Sequence, residues 1–227
     1  MVHMPKGSTQ TRKDNIAKEN AVVTIEDMNY DECVRLAAKE AAETEHGIIV
    51  QAGVGSLSGA VIGYFANRFK ENPPVMVVVE AGAADCLYRS AEKAAGSRVD
   101  VTGDMLTIMA GLACGEANTV SWDILRNHAS AFVSCPDWVS ANGTRIYGAP
   151  LPGDERVISG ESGSVPMGLL HAVMTNPEYR DLKEALKLDG HSQVLLISSE
   201  GDTDPDRYRE SVWEGLCGTD REPFADI

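Results

Sequence analysis

Basic residues are scarce in this chain of 227 residues. Twenty Lys and Arg stand against 34 Asp and Glu, for a net charge of −14. A surface for nucleic acid or for an anionic membrane needs clustered cations, and this balance argues against both. It leaves an anionic cofactor open, because backbone N–H groups hold phosphate without a basic side chain. Cysteine forms no framework. Cys33, Cys86, Cys114, Cys135 and Cys217 are odd in number and include no CxxC pair, which argues against a zinc knuckle or a disulfide scaffold. Cys86 and Cys114 would pair only if their loops met. The five histidines show no metal-ligand spacing, so no metal is expected. No apolar run is long enough to span a bilayer, and no N-terminal basic region leads into an apolar core. The expectation is a soluble cytoplasmic protein. Fixed-period repeats and low-complexity linkers are missing too.

What is present is 43% hydrophobic residues, enough for one sizeable core, or for one large domain plus a fragment of another. The opening, "MVHMPKGSTQTRKDN", reads as polar and abrupt, unlike the natural first element of a domain. Apolar runs predict strands at 21–27, 47–52, 73–81 and 131–135, and within 192–202 a strand ending in a polar turn. Helical spacing predicts helices at 29–45 with Asn29 or Asp31 as cap, from Ser58 to Phe69, and at 84–95. Further helices are predicted around Met105–Ala113, from Ser121, and from Pro136 to a stop at Asn142-Gly143. The last are expected after "SGESGS", at 177–188 and after Asp204. Alternation of runs with helices predicts an α/β fold, a mostly parallel sheet covered on both faces. Ligands then sit at the carboxyl ends of strands, which singles out the loops after Gln51, Val79 and Ile197.

In the first loop, "GVGSLSG", Gly53, Gly55 and Gly59 give GxGxxxG rather than the dinucleotide spacing GxGxxG. Glu80, ending the next strand, keeps a nicotinamide-dinucleotide reading in play. No Gly-Lys-Ser/Thr follows, so this is not a P-loop. Tight strand–helix packing without a ligand is the plain alternative. Ser56 and Ser58 among the glycines favour an anion, since small residues leave N–H groups open at a helix start. "SGESGS" (159–164) lacks the second glycine of GxSxG and reads as a helix cap, with Glu161 a candidate half-buried carboxylate. Asp202, Asp204 and Asp206 lack the glycine and glutamate of a calcium loop and read as a turn, with Asp204 capping the last helix. Ser198 and Ser199 end an apolar run.

Several blocks together resemble one family. "QAGVGSLSGAVIGY", "VVVE…ADCLYRS", "GDMLTIMAGLACGE", "RVISGESGSV" and "LLISSEGDTDPDRYRESVWEG", with "MPKGSTQTR" and "DMNYDECVRLA", look like diaminopropionate ammonia-lyase. That family belongs to the fold type II, tryptophan synthase β-like pyridoxal-phosphate enzymes. The resemblance covers nearly the whole chain. It implies the cofactor pyridoxal 5'-phosphate, the amino-acid substrate 2,3-diaminopropionate, pyruvate and ammonia as products, and a homodimer. It also implies that Gly53, Val54, Gly55, Ser56 and Leu57 cradle the cofactor phosphate. Ser199 would face the pyridine nitrogen, leaving it essentially neutral, as β-elimination requires. Glu161 would lie near the ring. Residues 1–46 would be a remnant of the small domain with its connecting helix, and residues 47–227 the C-terminal part of the large domain.

The departures from the family are specific. Its Schiff-base lysine, both covalent anchor and acid–base group, matches none of Lys6, Lys13, Lys18, Lys39, Lys70, Lys93, Lys183 or Lys187. Between Glu45 and Gly47 the family carries several tens of further residues. Ala81 and Ala117 stand where it usually has proline. The expectation is a partial family member, inactive alone and without a catalytic residue. An NAD-binding oxidoreductase and a non-catalytic ligand-binding remnant are the competing classes.

Overall fold

The computed structural model describes residues 1–43, 55–93 and 96–218. The chain opens with a small unit. Strand β1 (Val2–Met4) pairs in parallel with β2 (Val23–Ile25), Val2 opposite Val23 and Met4 opposite Ile25. Helix α1 (Gln10–Ala17) makes the crossover and α2 (Tyr30–Glu43) packs on β1. The first residues therefore do carry elements, against expectation. The sequence pattern hides them because α1 buries none of its residues, so it has no apolar stripe to read. The start of α2 is a capping box. Asn29 Oδ1 accepts from the Glu32 N–H at 2.9 Å, and Glu32 Oε2 accepts from the Asn29 N–H at 2.9 Å. His3 lies between Glu26 and Glu40, 2.9 Å from each, and these two bonds raise its pKa.

The larger unit contains α3 (Ser56–Phe69), β3 (Val77–Ala81), α4 (Cys86–Glu92), α5 (Thr119–His128) and β4 (Ala131–Cys135). It continues with α6 (Asp137–Gly148), α7 (Glu161–Thr175), α8 (Arg180–Ala185) and α9 (Pro205–Val212). Strands β3 and β4 are parallel, with Val77 opposite Ala131 and Ala81 opposite Cys135. Side chains alternate across this pair and build two cores. Ala81, Val133 and Cys135 join Val139, Val165, Leu169 and Val173 on the face covered by α6 and α7. Val78 joins Ile62, Cys86, Leu87, Trp122 and Leu125 on the face covered by α3, α4 and α5. Both faces are covered, as the runs of apolar residues require.

Four expectations change. Helix α5 starts two residues before Ser121, because Asn118 Oδ1 accepts from the Ser121 N–H at 3.0 Å and caps it. Residues 105–113 hold only one short 3-10 turn, Ala110–Leu112. Asp137 organises that stretch instead, accepting from the Thr107 hydroxyl and, at 3.2 Å, from the Ile108 N–H. Residues 192–202 form no strand; among the described residues no ladder pairs with them, and Val194, Leu195 and Ile197 are exposed. Helix α6 runs straight through Asn142-Gly143. Glycine there serves a helix crossing, not a stop. A Cβ on Gly143 would overlap the Ser164 carbonyl oxygen, and one on Gly168 would overlap the Val139 carbonyl oxygen. The predicted strand at 47–52, the end of the predicted helix at 84–95, and the junction between Glu45 and Gly47 lie outside the described residues.

This crossing can be tested. Gly168→Ala should lower the unfolding free energy by about 2 kcal/mol or more, the scale of overpacking against backbone that cannot retreat. Gly190→Ala, which meets nothing within 4 Å, should leave it within about 0.5 kcal/mol. Urea denaturation of the three proteins reads the difference.

Candidate functional site

Two helix starts meet the carboxyl end of the β3–β4 pair. The first is α3. Gly55 holds its N-cap position at φ +83°, a left-handed conformation natural to glycine, and supplies no side-chain cap. A Cβ at Gly55 would come to 3.4 Å from Leu87, in the first turn of α4 beyond β3, and to 3.0 Å from Leu125. Gly59 closes the next turn, its N–H donating to the Gly55 carbonyl at 2.6 Å, and packs on Ser121 of α5. Ser56 is half-buried and Leu57 is exposed. Gly53 and Val54 lie outside the described residues.

The second helix start is α7. The Ser140 hydroxyl, in the first turns of α6 beyond β4, donates to the Glu161 carbonyl at 2.6 Å and pins this end. Glu161 is the first residue of α7 and only 3% exposed. Its pKa is raised, chiefly by burial and also by Glu200 and Asp204, while Arg12 works against the rise. Arg12 Nη2 stands 3.5 Å from Glu161 Oε2 and 3.7 Å from Glu200 Oε1. The turn at 198–200 closes on the same place. The Ser159 and Ser198 hydroxyls lie 2.7 Å apart, and the Gly160 N–H donates to the Glu200 carbonyl at 3.0 Å. Ser198 thus takes the inward bond, and its neighbour Ser199 is exposed.

Two further candidates resolve into structure. Glu80 is buried and holds the start of α4: its Oε1 accepts from the Leu87 N–H at 3.1 Å and its Oε2 from the Tyr88 N–H at 2.7 Å. Both oxygens are engaged, so Glu80 is not presented to a ribose, and the dinucleotide reading loses its acid. The loops of Cys86 and Cys114 do meet. None of the five cysteines is in a disulfide, however, and the Cys86 thiol donates to the Cys114 carbonyl at 3.6 Å. Burial pushes that thiol up, away from the reactive thiolate. Among the described residues no cluster of His, Cys, Asp and Glu is placed to hold a metal, and no helix is long and apolar enough to cross a membrane. Asp204 accepts from the Arg207 N–H at 3.3 Å and caps α9 as expected. Arg12 is the residue that sequence reasoning missed. Nothing in the sequence signals that it reaches Glu161, because the contact joins distant parts of the chain.

The chain is 44% identical to diaminopropionate ammonia-lyase of Salmonella typhimurium and 42% identical to that of Escherichia coli K12, over 95% of its own length. It resembles this lyase over nearly its whole length. It spans 64% of the length of these curated relatives. The alignment with the Salmonella lyase runs over 258 residues against 227 in the whole chain, so the lyase holds residues that this chain lacks. The E. coli lyase structures in complex with D-serine and with an aminoacrylate-PLP azomethine reaction intermediate superpose with TM-scores of 0.83 and 0.84 at 38% and 39% identity. Each covers 96% of this chain, which in turn covers 64% and 65% of theirs. A fungal L-serine ammonia-lyase from Rhizomucor miehei, at 16% identity and a TM-score of 0.64, shares the fold alone. The fold is that of the type II pyridoxal-phosphate enzymes, in part. No family model matches the chain.

Glu80 gives a test by pH. Its folded pKa is pushed up to about 7 from 4.5, by burial above all, with the Leu87 and Tyr88 donors opposing. Because the folded state holds the proton more tightly, the stabilisation is complete below about 4.5 and is lost as pH rises to about 7. Unfolding free energies measured across this window should fall with pH in the wild type relative to Glu80→Gln, and the two curves should run parallel above it.

Proposed function

We propose that this chain carries the phosphate-holding and ring-side parts of a pyridoxal-phosphate-dependent diaminopropionate ammonia-lyase. Its reaction would be β-elimination of 2,3-diaminopropionate to pyruvate and ammonia. The observation that carries the reading is the start of α3, opened by left-handed Gly55 at the carboxyl end of a parallel sheet and free of a side-chain cap. Identity of 42–44% to lyases of that name over 95% of the chain supports it. So does the structural likeness to a lyase holding a PLP-bound intermediate.

The residues fit the group. Gly55, Ser56 and Leu57, with Gly53 and Val54 before them, would supply N–H donors to the phosphate at the positive end of α3. Glu161, with its Oε1 buried and without a hydrogen-bond partner, offers an unsatisfied acceptor on the ring side. Ser199 would offer a hydroxyl to the ring nitrogen; it is exposed and has an exposed apolar run before it. When bound, pyridoxal phosphate supplies an electron sink for a carbanion next to its imine carbon. The chain's own residues orient it and set the charge around it. Residues 1–46 act as the remnant of a small domain and 47–227 as the larger cofactor domain, and the complete enzyme is a homodimer in the cytoplasm.

None of the eight lysines is buried, and none is expected to take the place of the family's anchoring lysine. We assign no catalytic residue, and the chain alone should bind the cofactor without turning over substrate. Fluorescence titration with pyridoxal phosphate should show saturable binding, with dephosphorylated pyridoxal at least about tenfold weaker, or ~1.4 kcal/mol. Gly55→Ala should weaken the phosphorylated ligand by a similar factor, because its backbone angle is unfavourable for any side chain. Borohydride treatment should label no single lysine. Equal affinity for the two ligands would remove the phosphate cradle, and one strongly labelled lysine with pyruvate release would restore a complete catalyst.

A further inference from the structure

A single guanidinium serves two carboxylates where α1 meets the larger unit. Arg12 lies within ion-pair distance of Glu161 and Glu200. Asp204, a third carboxylate nearby, lines with Arg12 and Arg207 a cavity of about 30 Å³, room for about one water. The residues are well shielded: Glu161 is 3% and Asp204 4% exposed, and the Arg12 side chain is 17% exposed. One polar atom on each remains without a hydrogen-bond partner, Arg12 Nε, Glu161 Oε1 and Asp204 Oδ2. A buried carboxylate loses its hydration and takes up a proton unless a cation replaces that hydration. Arg12 is that cation, and it belongs to a different part of the fold. Helix α1 rides on the small unit, which touches the larger one through Asn15 to the Thr203 carbonyl, Asn29 to the Gly103 carbonyl, Asp31 to the Gly115 N–H and the Arg35–Glu116 pair.

We propose that Arg12 is a positioning residue for Glu161, so that seating of α1 on the larger unit determines whether the ring-side carboxylate carries a charge. The ring-side placement of Glu161 rests on the function proposed above; the coupling of Arg12 to Glu161 does not. With α1 seated, the guanidinium stabilises the carboxylate. With α1 lifted, Glu161 is left with Glu200 and Asp204, two further negative groups, and takes up a proton. By linkage, a neutral group at 161 must in turn weaken the seating of α1.

The experiment is a carboxyl-carbon NMR titration of the chain labelled at glutamate, with the Glu161 resonance identified by its loss in Glu161→Gln. Arg12→Met should move the Glu161 midpoint to higher pH and Arg12→Lys should bring it back, whereas a packing role alone would move neither. Glu200→Gln should move it to lower pH, since it removes a neighbouring charge and frees Arg12 for Glu161. This second variant decides the matter if Arg12→Met fails to fold. Amide exchange in α1 should quicken in Glu161→Gln. A Glu161 midpoint unmoved by Glu200→Gln and by any folded Arg12→Met overturns the proposal, as does unchanged exchange in α1. In parallel, the pH profile of pyridoxal-phosphate absorbance should shift in the direction of each carboxyl midpoint. A chain that binds none of this cofactor in any variant refutes the proposed function, while the carboxyl titration still decides the coupling.

Discussion

The contact between α6 and α7 is the constraint on which the site depends. Gly143 faces the Ser164 carbonyl and Gly168 faces the Val139 carbonyl, so two backbones touch with no side chain between them. The Ser140 hydroxyl bonded to the Glu161 carbonyl locks rotation at the upper end. Once the helices are this close, Val139, Val165, Leu169 and Val173 have one way to fill the space beneath β3 and β4. The position of Glu161 follows from backbone contact, which leaves less freedom than contact between long side chains.

The opposite face is built by the same economy. Gly59 lets α3 lie on Ser121 of α5, and Gly55 lets the chain turn over Leu87 and Leu125. Gly55 and Gly59 each remove a Cβ that would push α3 away from its neighbours. The two helix starts consequently stand at one end of the sheet. Such an arrangement would suit the proposed cofactor, an anionic phosphate at one helix start and a ring near the other.

Elements with strong local rules were legible in the sequence. The Asn29–Glu32 box, the run Val77–Ala81, the run Ala131–Cys135 and the Asp204 cap each state their structure within a few residues. Errors arose where one residue type has two uses. Asn142-Gly143 resembles a stop, yet the glycine is required by a helix that lies far away in sequence. The run 192–202 has strand composition, but a strand needs a neighbour and none pairs with it among the described residues. Glu80 looked like a ligand for ribose because strand-end acids often are, and only the course of α4 shows that its oxygens are taken. Of the site, Gly55, Glu161 and the serines near 199 could be singled out from type and spacing. Arg12 could not, since an exposed-looking arginine on a polar helix has no local pattern that names its partner.

The buried cap at the start of α4 has a calorimetric consequence. Between pH values of about 4.5 and about 7, Glu80 is ionised in the open chain and protonated in the folded one. Folding there withdraws a proton from the buffer. The heat of unfolding must then vary with the ionisation enthalpy of the buffer chosen, and a single buried carboxylate will register in the chemistry of the medium around it.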